Sequence, residues 1–311
     1  MRGLRAHAFL IVIALSSRAQ AFARTASETG TCVFWAEREL KYLVNDRCAP
    51  ELLPKDCLDA VDEAFATWTE PLCTDLKFVN MGTTHSREIG VKTADESNLV
   101  IWRTRSCADV VPTDDACRAA DASCADKFDC WDGALHGDGN KDAEVIAVTT
   151  VTFQPKTGQI RDADIELNAA PAPDSAGAHF IFTTEDGPPC GGDLQPPNCP
   201  STDIRTTLAH EIGHFMGLAH STRSDAVMFF QSDPPGQLAK RALTDDDVAG
   251  VCTIYPRGKS VSTCLGNVTV EPVSETDGCA CRSGRGANLW ALIGCMLFVI
   301  RRVTRAKIKS V

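Results

Sequence analysis

Acidic residues are absent from both ends of this 311-residue chain. Residues 1–23 contain three Arg and residues 279–311 contain seven Lys or Arg, but neither segment has an Asp or a Glu. The middle of the chain, residues 24–278, therefore holds the other 21 basic residues and all 41 acidic ones, a net charge of −20. This sign argues against nucleic acid as a partner and disfavours anionic membrane surfaces, because both attract cationic proteins. Such acidity is typical of an exported protein that must stay soluble.

The first 23 residues lack an apolar run long enough to cross a bilayer. A basic start at residues 1–5 precedes an apolar run at residues 8–15, and the tripeptides Ala-Gln-Ala (19–21) and Ala-Phe-Ala (21–23) both fit a signal-peptidase site. We therefore predict that residues 1–23 are a secretory signal peptide, removed at the end of either tripeptide. The mature protein is then extracellular or attached to the cell surface.

No Cys-x-x-Cys pair occurs among the 15 cysteines, which argues against a second metal site built from thiolates. Twelve cysteines lie between Cys32 and Cys264, and an even number in an exported chain favours disulfides. We expect a local pair between Cys190 and Cys199, which flank a Gly/Pro-rich loop. A second group is expected to close one segment of the chain on itself: Cys107, Cys117, Cys124 and Cys130.

Three of the seven histidines fall in residues 210–220, which have the sequence His-Glu-Ile-Gly-His-Phe-Met-Gly-Leu-Ala-His. On a helix, His210 and His214 leave the same face one turn apart, so both imidazoles can bind one zinc ion. His220 can supply the third ligand only if the chain bends, and Gly217 lies where a positive φ costs least. Glu211 can face a water molecule at the metal without binding the metal itself. The stretch therefore predicts a zinc site for peptide hydrolysis, with Glu211 as the general base.

Residues after this stretch extend the pattern. Ser221 directly follows His220, Met228 comes eight positions after His220, and residues 243–251 have the sequence Leu-Thr-Asp-Asp-Asp-Val-Ala-Gly-Val. With these features the chain resembles the metzincin clan of zinc peptidases and, within it, the matrixin family of the matrix metalloproteinases. The resemblance spans about residues 32–256. It implies a metalloendopeptidase with a catalytic zinc on the three histidines, a methionine turn beneath the metal, and a protein or peptide substrate.

The resemblance also implies an α+β fold for residues 24–256, in which a twisted, mostly parallel sheet carries an active-site helix and a closing C-terminal helix. A Cys- and Asp-rich insertion at residues 103–142 interrupts this fold. Residues 159–168 alternate between polar and apolar side chains, which predicts a strand with one solvent-exposed face. This strand is similar to the one that borders the substrate cleft in bacterial matrixin-like peptidases; an interior or edge strand without a ligand is the alternative. The other expected elements are strands at 40–44, 76–79, 99–102 and 144–153, and helices at 56–70, from 203 onward and from 244 to 255.

The C-terminal part has a different character. Residues 257–278 are interpreted as a linker. Residues 279–311 resemble the C-terminal sorting tail of myxobacterial surface proteins, with a Gly-Cys motif, an apolar segment at 289–300 and a closing arginine cluster. Twelve apolar residues rise only about 18 Å as a helix, against about 30 Å of bilayer core, so we expect a processed sorting signal or a weak membrane anchor. A hydrophobic helix packed on the domain is the alternative.

Two features of the family are not recognisable. No Pro-Arg-Cys-Gly-type segment occurs, so we do not expect latency through a propeptide cysteine. Residues 132–142 have the oxygen-rich, glycine-punctuated character of a calcium loop, but their spacing does not match an EF-hand, and an acidic surface turn is the alternative. Two other functions also stay open: a non-catalytic adhesion or scaffold module that keeps the zinc fold, and a zinc hydrolase for a non-peptide amide. We expect a monomer.

Overall fold

A computed structural model of the protein describes residues 21–27, 29–90, 97–118, 124–131, 145–171, 180–184, 201–232, 238–264, 269–272 and 279–282. In chain order, its strands and α-helices are β1 Ala23–Ala26, β2 Glu39–Asn45, α1 Pro54–Thr67, β3 Lys77–Thr84, β4 Asn98–Arg103, α2 Cys107–Val110, α3 Ala125–Phe128, β5 Val145–Phe153, β6 Ile160–Asn168, β7 Ile181–Thr183, β8 Ser201–Asp203, α4 Ile204–Phe215, β9 Leu218–Ala219, α5 Asp245–Ile254, β10 Thr269–Pro272 and β11 Cys279–Arg282.

The largest sheet has the strand order β3-β2-β4-β6-β5-β11. Its first four strands are parallel to one another, whereas β5 is antiparallel to β6 and β11 is antiparallel to β5. Helix α4 packs on β5 and β6, and α1 packs on α4 and β3. The predicted α+β fold with a mostly parallel sheet is confirmed.

Helix α1 fixes the position of α4. It begins at Pro54, whose missing N–H is not needed in a first helical turn, and it ends at Thr67, earlier than the sequence predicts. The indole Nε1–H of Trp68 donates to the backbone oxygen of Ala209 at 2.8 Å. The ring of Phe65 meets the edge of the Phe215 ring at 5.9 Å between centroids. These contacts attach α4 to α1 through side chains that are almost completely buried.

Strand β6 differs from the sequence prediction, because it has no solvent-exposed face. It lies inside the sheet between β4 and β5, and eight of its nine residues are buried. Its polar side chains have buried partners: Arg103 Nε donates to Glu166 at 2.7 Å, and Asp164 accepts the backbone N–H groups of Gly90 at 2.5 Å and Leu99 at 2.8 Å. The polar/apolar alternation therefore marks a buried polar layer, and the expected position beside the substrate cleft is wrong for this strand.

The insertion covers this polar layer. Arg103 also bonds to Asp126 at 3.0 Å and to Asp129 at 3.1 Å, which places the short helix α3 over the end of β4. The disulfides Cys107–Cys130 and Cys117–Cys124 confirm that the four clustered cysteines close the segment on itself. The calcium-like stretch 132–142 lies outside the described residues.

Three further disulfides stabilise the domain: Cys32–Cys264, Cys48–Cys57 and Cys73–Cys252. The first of them, and the parallel pairing of β10 with β1, attach part of the expected linker to the domain. The predicted pair Cys190–Cys199 lies outside the described residues. Across the ranges that the structure covers, no helix has the length and apolarity to cross a membrane.

The N-terminal described residues pack into the same domain. Phe22 is buried next to Gly250, where an added Cβ would lie 3.4 Å from the Phe22 ring. The backbone N–H of Ala21 donates to Asp246 Oδ1 at 2.8 Å. Residues 21–23 of the predicted signal peptide are therefore part of the folded domain in this structure. The rest of the predicted signal peptide, residues 1–20, lies outside the described part of the chain.

Candidate metal centre

Helix α4 begins where the sequence predicts. The carboxylate of Asp203 accepts the backbone N–H of Thr206 at 2.8 Å, which satisfies one of the donors left unpaired in a first helical turn. Leu208, Ile212 and Phe215 are buried in the main core, as expected from their spacing. This packing holds the helix against the sheet and fixes the side that carries the first two histidines of the motif.

A bend at Gly217 follows the helix. The φ angle of Gly217 is +95°, and a Cβ at this position would lie 2.7 Å from the backbone oxygen of Val33. For both reasons, any residue larger than glycine would be strained at this position. The bend reverses the chain and returns His220 to the side of α4 that carries His210 and His214. The prediction that Gly217 makes this turn is confirmed.

The three histidines of the motif meet at one point. One nitrogen from each of His210, His214 and His220 lies within 4.8 Å of the others, and all three side chains are buried. The Nε2 atoms of His210 and His214 are 3.0 Å apart. Two nitrogens bound tetrahedrally to one zinc at 2.0–2.1 Å would be about 3.3 Å apart, so the observed spacing fits a shared ion.

Backbone carbonyls orient two of these rings. Nδ1 of His210 lies 2.7 Å from the oxygen of Val227, and Nδ1 of His214 lies 2.9 Å from the oxygen of Leu218. A proton on Nδ1 leaves Nε2 as the metal-binding atom, which is the usual arrangement around a metal-bound histidine. Nε2 of His220 is buried and has no hydrogen-bond partner within the described residues, which suits a metal ligand.

Burial keeps the three imidazoles neutral. It lowers the pKa of His210 to about 3 and that of His220 to about 4, and it holds the pKa of His214 well below its ordinary value. Neutral imidazole is the form that binds metal. The residues present therefore fit a zinc ion in donor type, spacing and protonation.

A turn containing Met228 lies beneath the histidines. Met228 is buried, and its sulfur packs so closely on Gly213 that a Cβ there would lie 2.0 Å from it. Asp247 of α5 accepts the backbone N–H groups of Val227 at 3.0 Å and Met228 at 3.1 Å. In the sequence, Asp247 is one of three consecutive Asp residues at the start of a helix, where acidic side chains complement the helix dipole. Its role in holding the turn was missed, because no local pattern links two segments 19 residues apart.

Glu211 is fully buried beside His210, and a residue from the sheet contacts it. Oγ1 of Thr149 in β5 lies 2.6 Å from Glu211 Oε2. The sequence shows Thr149 only as one of several β-branched residues in an expected strand, so this contact was also missed.

Phe230 is partly exposed, and its ring centroid lies 6.4 Å from that of His220. His179 lies outside the described residues.

Three buried neutral histidines, two on a helix and one after a glycine bend, together with a glutamate next to the first, define a zinc-peptidase type of centre. The amino-acid sequence also matches the model of the matrixin family over residues 34–256, which is more than half of the chain. The chain therefore belongs to the matrixin family, whose members use a catalytic zinc.

Curated relatives are similar over shorter stretches. Metalloendoproteinase 1-MMP of Arabidopsis thaliana is 32% identical over 120 residues, 39% of this chain and 27% of the relative. Karilysin of Tannerella forsythia is 26% identical over 180 residues, 58% of this chain and 31% of the relative. Stromelysin-1 of Rattus norvegicus is 37% identical over 54 residues, 17% of this chain and 11% of the relative. The chain thus spans less than a third of the length of each of these relatives.

Proposed function

We propose that this chain is an exported zinc metalloendopeptidase in which His210, His214 and His220 hold the metal and Glu211 is the general base. The observation that carries this proposal is the convergence of three buried imidazoles at one point, beside a buried carboxylate. Membership of the matrixin family supports protein or peptide as the substrate. A monomer that uses residues 279–311 for sorting or membrane attachment remains our prediction from the sequence. For residues 132–142 we favour an acidic surface turn, with a calcium loop as the alternative.

The site residues divide the chemistry between them. A zinc ion held by His210, His214 and His220 would supply Lewis acidity and would lower the pKa of a water molecule bound to it. Glu211 accepts a proton from the attacking water and then donates it to the leaving amine as the peptide bond breaks. Burial of Glu211 and of the histidines limits access of bulk water, which strengthens the electrostatic interactions at the site.

The side of β5 that faces away from β6, where β11 pairs in the structure, is the place where we expect a peptide to bind. Helix α4 packs on β5, so an extended peptide paired with this strand would pass the histidines. Backbone pairing of this kind suits a peptide better than an isolated non-peptide amide. β5, whose outer side pairs with the short strand β11, replaces β6 as the strand that we assign to the substrate.

Casein zymography of the full chain tests the proposed activity. We expect a cleared band that disappears with 1,10-phenanthroline and returns when ZnCl₂ is added, because all the electrophilic chemistry depends on the metal. Clearing that persists in the chelator after the zinc has been removed would contradict a zinc mechanism. Protein that contains zinc but clears no casein and cleaves no member of a peptide library would favour the scaffold alternative.

The C-terminal strand β11 gives a second prediction. β11 pairs with Thr149, Val148, Ala147 and Val145, which is the edge that we assign to the substrate. A tethered strand competes at high effective concentration, so a chain that ends at residue 278 is expected to have a kcat/KM about tenfold higher on peptides.

The double variant Ala280→Pro/Cys281→Pro in the full chain separates pairing from the rest of the tail. Alternate residues of a strand direct their N–H groups to the same neighbour, so one of two adjacent prolines must remove a donor that faces β5. We expect the same rise in kcat/KM as in the shortened chain. Unchanged kinetics in both proteins would show that β11 does not compete with the substrate.

A further inference from the structure

A buried hydrogen bond joins the proposed general base to the sheet. Thr149 Oγ1 lies 2.6 Å from Oε2 of Glu211 and 3.1 Å from the backbone oxygen of the same residue. A hydroxyl group has one proton to donate, and the shorter contact leads to a charged acceptor, so the proton is directed at Oε2. Both side chains are completely buried. The bond therefore connects strand β5 with the carboxylate on α4, across 62 positions of sequence.

The bond restricts the carboxylate without blocking it. An ionised carboxylate has about four lone-pair sites, and one hydroxyl donor occupies only one of them. The terminal torsion of a glutamate is broad when nothing restrains it, so a strong donor at Oε2 restrains the plane of the group. Fixing that plane also fixes the direction in which Glu211 can accept a proton.

We propose that Thr149 is a positioning residue for Glu211, holding its carboxylate in the orientation needed for proton transfer. This inference rests on the proposed peptidase function. Thr149 itself takes no proton and acts on the reaction only through Glu211. Because the bond does not involve the substrate, its loss should affect the chemical step and leave substrate binding nearly unchanged.

The same strand offers a matched control. Thr152 is also a buried threonine of β5, three positions away and therefore on the opposite face. Its Oγ1 has no hydrogen-bond partner within the part of the chain that the structure describes. Replacing either residue by Val is the same isosteric change, but only the change at position 149 removes a donor from Glu211.

The experiment compares Thr149→Val, Thr149→Ser and Thr152→Val as zinc-loaded full chains. For Thr149→Val we expect a fall in kcat of about 10- to 100-fold with KM within about twofold of the parent, because a misplaced base costs rate more than binding. Thr149→Ser keeps the hydroxyl and should restore most of kcat. Thr152→Val should match the parent protein. Zinc content and melting temperature are measured for every variant, and the zinc content should remain one per chain.

The outcomes separate this inference from the proposed function. If the parent protein binds zinc but cleaves no peptide, the peptidase proposal is overturned. If the parent is active and Thr149→Val retains its kcat, only the positioning role is overturned. Equal losses in Thr149→Val and Thr152→Val, or a failure of Ser to restore kcat, would also overturn it, because both indicate a packing effect. If Thr149→Val does not fold, Thr149→Ala is compared with Thr149→Ser in the same way.

Discussion

Replacing Glu211 by Gln is expected to slow peptide hydrolysis by about 10²- to 10⁴-fold, the usual contribution of a general acid–base group. An amide of the same shape cannot accept the proton of the attacking water. Zinc should remain bound, because the three histidines converge without help from this side chain. Initial rates on a fluorogenic peptide and zinc measurement by mass spectrometry would check both halves of the expectation.

Glu63→Gln provides the control for this charge change. Glu63 is a half-exposed residue of α1 that pairs with Arg205 at 2.9 Å, far from any role in the proposed chemistry. Its substitution should leave the rate unchanged. A Glu211→Gln protein that keeps nearly full activity would exclude Glu211 as the base. In a variant that has lost its zinc, the lower rate would report the missing metal and not the missing base.

Replacing His220 by Ala is expected to weaken zinc binding by more than about 100-fold and to abolish hydrolysis. Loss of an outer partner of a metal ligand already costs about 10- to 100-fold in affinity, and loss of the ligand itself should cost more. His220 is also the ligand that depends on the Gly217 bend, so this variant tests the tertiary arrangement directly. Titration of zinc against a competing chelator gives the affinity.

His85→Ala is the control for removal of an imidazole. His85 is an exposed residue that contacts Asp46 at 2.6 Å. Zinc affinity and activity should not change in this variant. Circular dichroism of both metal-free variants should match that of the parent, which would assign the effect at position 220 to the lost ligand. Tight zinc binding by a folded His220→Ala protein would show that the third ligand lies elsewhere.

Local sequence patterns predicted the parts of the site that lie close together in the chain. The four-residue spacing of His210 and His214 places both imidazoles on one side of one helix. Gly217 was identifiable because a positive φ is a property of one residue and its turn. That the four cysteines of the insertion pair among themselves was also predictable, because they lie close together in the sequence, but which cysteine pairs with which came from the structure.

The sequence by itself determined the identity of the proposed ligands and of the base, the bend between them, and the α+β class. Only the tertiary structure decided that β6 is interior, that β5 lies between β6 and β11 beside α4, and that Thr149 and Asp247 contact the site. The physical reason is that a polar residue in a strand has the same alternation whether it meets water or a buried partner. Which of these it meets depends on segments far away in the chain, such as the insertion that covers Glu166 and the helix that carries Glu211.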